Sequence, residues 1–312
     1  MPPSKEIKEK AEELVREIPA GNSRFWPYLS RNEVAAGLVA RVRDPNLIWQ
    51  ARSNLCGMAT FVHALASDDP LGYVLFARGL YRDAQGWLVG KKHNTLFSPS
   101  KETRSSKVPS RMNAADWLVL ASLRDHMNRF LHYRWDAHIP VVSDIPLIKL
   151  FPLLFAERIA AINWPDDIAA LLRAVGYRDV LVDADVSRLK GVNTRDTMVD
   201  LVAGHYRVMM LVSVGMFEGG ASSATAQHWV RLLTFELNQF ALPRDGGAQP
   251  GVRFTAFDPQ MGAVQHWNET TPTRGVRRVP DPTAVGPKAF RGEYIPLSHF
   301  MDHYYGYVAG RL

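Results

Sequence analysis

The stretch His228-Trp-Val-Arg-Leu-Leu-Thr-Phe-Glu-Leu-Asn-Gln-Phe240 decides how this chain is read. It is rich in valine, leucine and aromatics, a composition that fits a pleated strand. Val208–Phe217, Val252–Phe257 and Val264–Asn268 share that character, with Gly, Pro and Asp turns between them, and a last strand is expected over Tyr304–Ala309. Upstream the pattern is helical. Residues 5–17 place Ile7, Ala11 and Leu14 on one face, and Asn32–Val42 has Asn32 as its expected N-cap. Further helices are expected over Met58–Ala66, Leu71–Tyr81 (opened by Pro70), Ala114–Phe130, Asp166–Ala174 and Arg195–Ala203. Helices first and an antiparallel sheet afterwards make the fold α+β, a helical lobe packed against a β lobe.

Composition narrows the function. The chain has 312 residues, 46% hydrophobic and 22% charged, which excludes disorder, collagen and coiled coil. Its one cysteine, Cys56, excludes an internal disulfide framework and any cysteine-built zinc or iron–sulfur site. The N-terminal stretch alternates charges and has no apolar run of the secretory kind. Lys149, Glu157 and Arg158 interrupt the apolar segment 145–162, and 208–217 is too short to span a bilayer. A cytoplasmic site of synthesis and no membrane span are therefore expected. The net charge of +6 is too small for a nucleic-acid footprint unless it is concentrated. It is concentrated in residues 91–111, where Lys91, Lys92, Lys101, Arg104, Lys107 and Arg111 face Glu102 alone. That Ser/Pro/Lys-rich segment reads as a long exposed loop, solvated or meeting an acidic partner or surface, and nucleic acid is not an expected partner.

Cys56 and Gly57 stand at the start of an expected helix. The positive end of a helix dipole favours thiolate over thiol there. Gln50, six positions upstream, has an amide that could join the Cys56 backbone N–H in binding an oxyanion. A thiol nucleophile needs a base, and the base needs an orienting partner. His228 opens the strand quoted above, after the small-residue run that begins at Gly219. Asp258 ends the strand Val252–Phe257 in Phe-Asp-Pro-Gln-Met-Gly. If these strands pair antiparallel through the turn near 245–247, His228 and Asp258 become neighbours.

Gln-x5-Cys-Gly opening a helix, then His-Trp-Val on a strand, then Asp-Pro-x-x-Gly at the end of the next, resembles the papain-like cysteine peptidases. The nearest in flavour are the bacterial leader-processing peptidases and the papain-like toxins or effectors. The resemblance implies Cys56 as nucleophile, His228 as base, Asp258 as third member and Gln50 as the oxyanion-hole residue. It implies a catalytic domain over 46–312, helical to about 200 and β from 201, after an N-terminal helical extension over 1–45. It also implies a protein substrate, an immunity or activating partner, no metal or organic cofactor, and export without a cleavable signal into a target cell. Met58 departs from the plant and lysosomal pattern, as does Asp in place of Asn at the third position. The same triad would serve a glutamine deamidase, a transglutaminase-like enzyme or a peptidoglycan amidase, and a scaffold without turnover would be a binding module.

Other clusters are weaker. His126, His132 and Asp125 fit no metal motif. His299 and His303 are spaced to share a helix face but lack an evident third ligand. The run Gly219–Ala221 lacks the Lys-Ser/Thr of a phosphate loop. Trp229 is expected to pack the sheet or shield the His228 pair, and Tyr304, Tyr305 and Tyr307 to fill the β lobe.

Overall fold

In the computed structural model, most helices of the N-terminal half begin where a short polar side chain takes up a first-turn N–H. The residues described are 3–18, 21, 23–51, 53–90, 93–128, 163–184, 195–213, 215–218, 228–241, 248–260, 263–267 and 295–312. Ser4 caps α1 (Lys5–Arg16). Ser30, not Asn32, caps α2 (Arg31–Arg43), because its hydroxyl accepts from the Glu33 N–H at 3.2 Å. A single 3-10 turn covers Pro45–Leu47. Next come α3 (Cys56–Asp68) and α4 (Pro70–Asp83), the latter capped by Asp69 with Pro70 in its first turn.

The chain divides into two units, Met1–Asn163 with Ala174–Gly176, and Trp164–Arg173 with Tyr177–Leu312. In the first unit α3 is the buried centre: every residue from Cys56 to Ala66 is buried. A helix apolar on all sides must be enclosed on all sides. Helices α1, α2 and α4 and helix α6 (Ala114–Met127, capped by Asn113) complete this unit's helical layer. Residues 5–43 thus form part of the unit's packing, with α1 against both α2 and α4.

The basic segment is more structured than expected. Strands β1 (Gly86–Val89) and β2 (Asn94–Phe97) pair antiparallel, and α5 (Lys101–Arg104) follows. The Asp125 carboxylate accepts from the Ser100 N–H at 2.7 Å and its hydroxyl at 3.1 Å, while Thr103 and Ser106 are buried. Side-chain anchoring, invisible to apolar periodicity, replaces the exposed loop. Lys101, Lys107 and Arg111 remain exposed.

The second unit is built on an antiparallel sheet, with α7 (Pro165–Ala174) and α8 (Arg195–Ala203). Its strands are β3 (Arg178–Ala184), β4 (Arg207–Val212), β5 (His228–Ala241), β6 (Ala248–Asp258), β7 (Ala263–Trp267), β8 (Ile295–Pro296) and β9 (Tyr304–Arg311). The order across the sheet is β3-β9-β4-β5-β6-β7, with β8 also pairing β6. On one face, Val208, Met210, Val212, Val230, Leu232 and Phe254 join a core with Met198 and Leu201 of α8 and Phe300 of α10 (Leu297–His303).

The expected strand over 208–217 ends at Val212, and α9 (Gly215–Glu218) begins the return. Strand β3 has no counterpart among the elements expected from sequence, whereas α10 is the helix on which His299 and His303 share their spacing. β3 has no apolar alternation and is ordered by its ladder to β9. Tyr304, Tyr305 and Tyr307 are buried as expected. Helices and antiparallel sheets together make the chain α+β. Among the described residues no helix is long and apolar enough to cross a membrane. The Gly219–Ala221 run, the turn near 245–247, Lys91, Lys92 and His132 lie outside the described residues.

Candidate functional site

The four residues singled out in the sequence fall two and two: Gln50 and Cys56 in the first unit, His228 and Asp258 in the second. All four are buried.

Cys56 is the first residue of α3, and Leu55 holds the N-cap position. Leucine has no side-chain acceptor, so no capping side chain competes for the donors at this helix start. Between Gln50 and Cys56 the chain makes a tight turn, in which the Ser53 N–H and hydroxyl both donate to the Gln50 carbonyl, at 3.1 and 2.5 Å. Ala51 takes the left-handed conformation at φ 55°, which costs a residue carrying a Cβ. The Gln50 amide is buried, and its Oε1 has no hydrogen-bond partner among the described residues. Rotating the amide by half a turn puts its NH2 at that same position. An amide oxygen left so is costly unless a group outside the described residues meets it.

Two buried cations hold this segment. Arg41 Nε and Nη2 each donate to an Asp116 oxygen at 2.6 Å, and Nη2 also donates to the Leu47 carbonyl at 3.1 Å. Asp116 Oδ2 accepts from the Trp49 N–H at 3.1 Å, one residue before Gln50. Burial pushes the Asp116 carboxyl above its ordinary value, against the pull of Arg41 and the Trp49 N–H. Burial also opposes the Arg41 charge, but Asp116 outweighs it and the guanidinium is raised. Farther along, Arg124 Nη1 donates to Asn163 Oδ1 at 3.1 Å, and Asn163 Nδ2 donates to the Asn54 carbonyl at 3.4 Å. No local pattern could have linked these residues, since Arg41 and Asp116 are 75 positions apart.

In the second unit, β5 and β6 pair antiparallel with Arg231 opposite Phe257. Continuing that register puts Asp258 across from Val230, so His228 lies on the same face, one diagonal step away. The side chains meet: His228 Nε2 and Asp258 Oδ1 are 2.8 Å apart. Asp258 Oδ1 also accepts from the Gln260 N–H at 2.8 Å, so the carboxylate forms its turn and orients the ring with one oxygen. When Nε2 carries the proton shared with Asp258, the basic lone pair belongs to Nδ1. Trp229 is buried and, by strand alternation, points to the opposite face, so it packs the sheet rather than covering the ion pair.

His299 and His303 share α10, with ring centroids 4.3 Å apart. His303 Nδ1 lies 2.5 Å from the Ser213 hydroxyl. Among the described residues there is no group of three or more His, Cys, Asp or Glu side chains that could hold a metal ion. Compared with known proteins, the chain matches no family model, and no curated protein matches it.

Proposed function

We propose that the chain is a papain-like cysteine hydrolase that opens a peptide or isopeptide bond in a protein substrate. The observation that carries this reading is the buried His228–Asp258 pair at 2.8 Å, at the start of one strand and the end of the next. Histidine oriented by a buried carboxylate through one ring nitrogen is the arrangement a general base requires. Further support comes from Cys56 opening a buried central helix that has no capping side chain, with the Gln50 amide held nearby in sequence.

In the proposed reaction the Cys56 thiolate attacks the substrate carbonyl, and the oxyanion takes hydrogen bonds from the Cys56 N–H and the Gln50 amide. The imidazolium of His228 gives its Nδ1 proton to the leaving amine. Water, deprotonated by the same nitrogen, then hydrolyses the thioester. Asp258 holds the ring through Nε2 in both steps. By the same resemblance we propose a toxin or effector delivered to a target cell's proteins.

The test is Cys56→Ala beside wild type, read by intact mass of target-cell proteins after incubation. Loss of a cleaved product in the variant supports the reading, and equal activity of both overturns it. A product of unchanged length in which oxygen replaces NH, also lost in the variant, assigns the chemistry to deamidation instead.

A further inference from the structure

We propose that helix α6 positions the thiol-bearing segment from both ends, Asp116 through Trp49 and Arg124 through Asn163, and that Asp116 is thereby a positioning residue for the oxyanion-binding amide of Gln50. This rests on the reading of Cys56 and Gln50 given above.

Asp116 and Arg124 lie eight residues apart on α6, about 12 Å along its axis. The first anchors the backbone immediately before Gln50, and the second anchors the Asn54 carbonyl two residues before Cys56. Between the anchors lie two costly features, a left-handed Ala51 and a buried Gln50 oxygen with no partner among the described residues. A segment left to itself would relax both. The clamp opposes this, because movement of the segment would break the bond from the Trp49 N–H to buried Asp116 and the bond from buried Asn163 to the Asn54 carbonyl, leaving buried polar groups unsatisfied. The Arg41–Asp116 pair contributes little net stability compared with apolar packing, and what it does is hold the Asp116 carboxylate where it meets the Trp49 N–H. Here the geometry fixed is that of the peptide carrying the proposed oxyanion donor.

Two probes of the same sulfur separate positioning from general integrity. Iodoacetamide alkylates the thiolate by direct displacement: the S–C bond forms, iodide leaves, and no oxyanion develops. p-Nitrophenyl acetate passes through a tetrahedral oxyanion, expels p-nitrophenolate and leaves an acetyl thioester on Cys56, so it reports the hole as well. Cys56→Ala supplies the blank for both.

Asp116→Asn keeps the side chain's shape and removes its charge. We expect acylation by p-nitrophenyl acetate to fall at least about tenfold while alkylation stays within about twofold of wild type. Asn163→Ser, which loosens the other anchor, is expected to give the same split and decides the matter if Asp116→Asn does not fold. Equal rates in variant and wild type, or both reactions slowed in proportion, overturn the positioning role. A wild-type protein with no Cys56-dependent acylation overturns the hydrolase reading itself, and this inference with it.

Discussion

His228 and Asp258 stand 30 residues apart in sequence and 2.8 Å apart in space, because β5 enters the sheet beside the point where β6 leaves it. The contact depends on register. A slip of one residue would turn either side chain to the opposite face. Asp258→Asn retains an acceptor for Nε2 and for the Gln260 N–H, whereas Asp258→Ala removes both. The expected order of turnover is wild type, then Asn, then Ala, with Ala lower by about 100-fold or more. In the proposed mechanism nucleophile and base act as one unit, so His228→Ala should be as severe as Cys56→Ala. Initial rates on a cleaved target, compared across the four variants, check this ordering.

The Arg41–Asp116 pair gives a stability prediction independent of catalysis. Removing one partner leaves a buried charge unmatched, so Asp116→Ala should destabilise the first unit by about 3–5 kcal/mol. The double variant Arg41→Met/Asp116→Leu should recover much of that loss, because two apolar side chains replace two desolvated charges. It should not recover all of it, since the Trp49 N–H and the Leu47 carbonyl lose their partners. Urea unfolding of Arg41→Met, Asp116→Leu and the double variant closes the cycle. Additive losses would contradict a coupled buried pair.

These two pairs show what the sequence could and could not disclose. The helix and strand periods, and the turn residues between them, placed most elements of both units. His228 and Asp258 were legible because they mark the start and the end of consecutive strands, and antiparallel pairing has few alternatives. Arg41, Asp116, Arg124 and Asn163 were not, because the contacts that tie them to the site are 6 to 109 positions away in the chain. The same limit hid the order in 93–111, where Asp125 holds Ser100 across 25 positions. Strand β3 escaped for a different reason: at a sheet edge the ladder supplies the order, and the side chains need not alternate.

Gly306 makes a local prediction for the second unit. It sits at φ +110° in β9, and a Cβ there would overlap the Asp183 carbonyl oxygen of β3. Gly306→Ala therefore meets both backbone strain and a clash with main-chain atoms that cannot swing aside. The cost should be at least about 2 kcal/mol. A urea midpoint equal to that of wild type would refute the geometry at this crossing.

The last prediction concerns pH. Burial lowers the His299 pKa below its ordinary value, while a hydrogen bond with the Met216 backbone and the charge of Asp302 pull the other way. The neighbouring His303 ring, 4.3 Å away, is engaged with Ser213. A folded pKa below the unfolded one means that, on acidification, the unfolded chain takes up its proton first. The stability due to neutral His299 is thus fully present above the unfolded value of about 6.5, and is lost as pH falls from there through the folded pKa. Urea midpoints of the second unit should therefore fall between about pH 7.5 and about pH 5.5. His299→Gln keeps a polar side chain but does not titrate in this range, so its midpoint should fall less than that of wild type over the same interval. If the two proteins lose stability in parallel, the acid sensitivity belongs to other groups and the assignment to His299 is wrong.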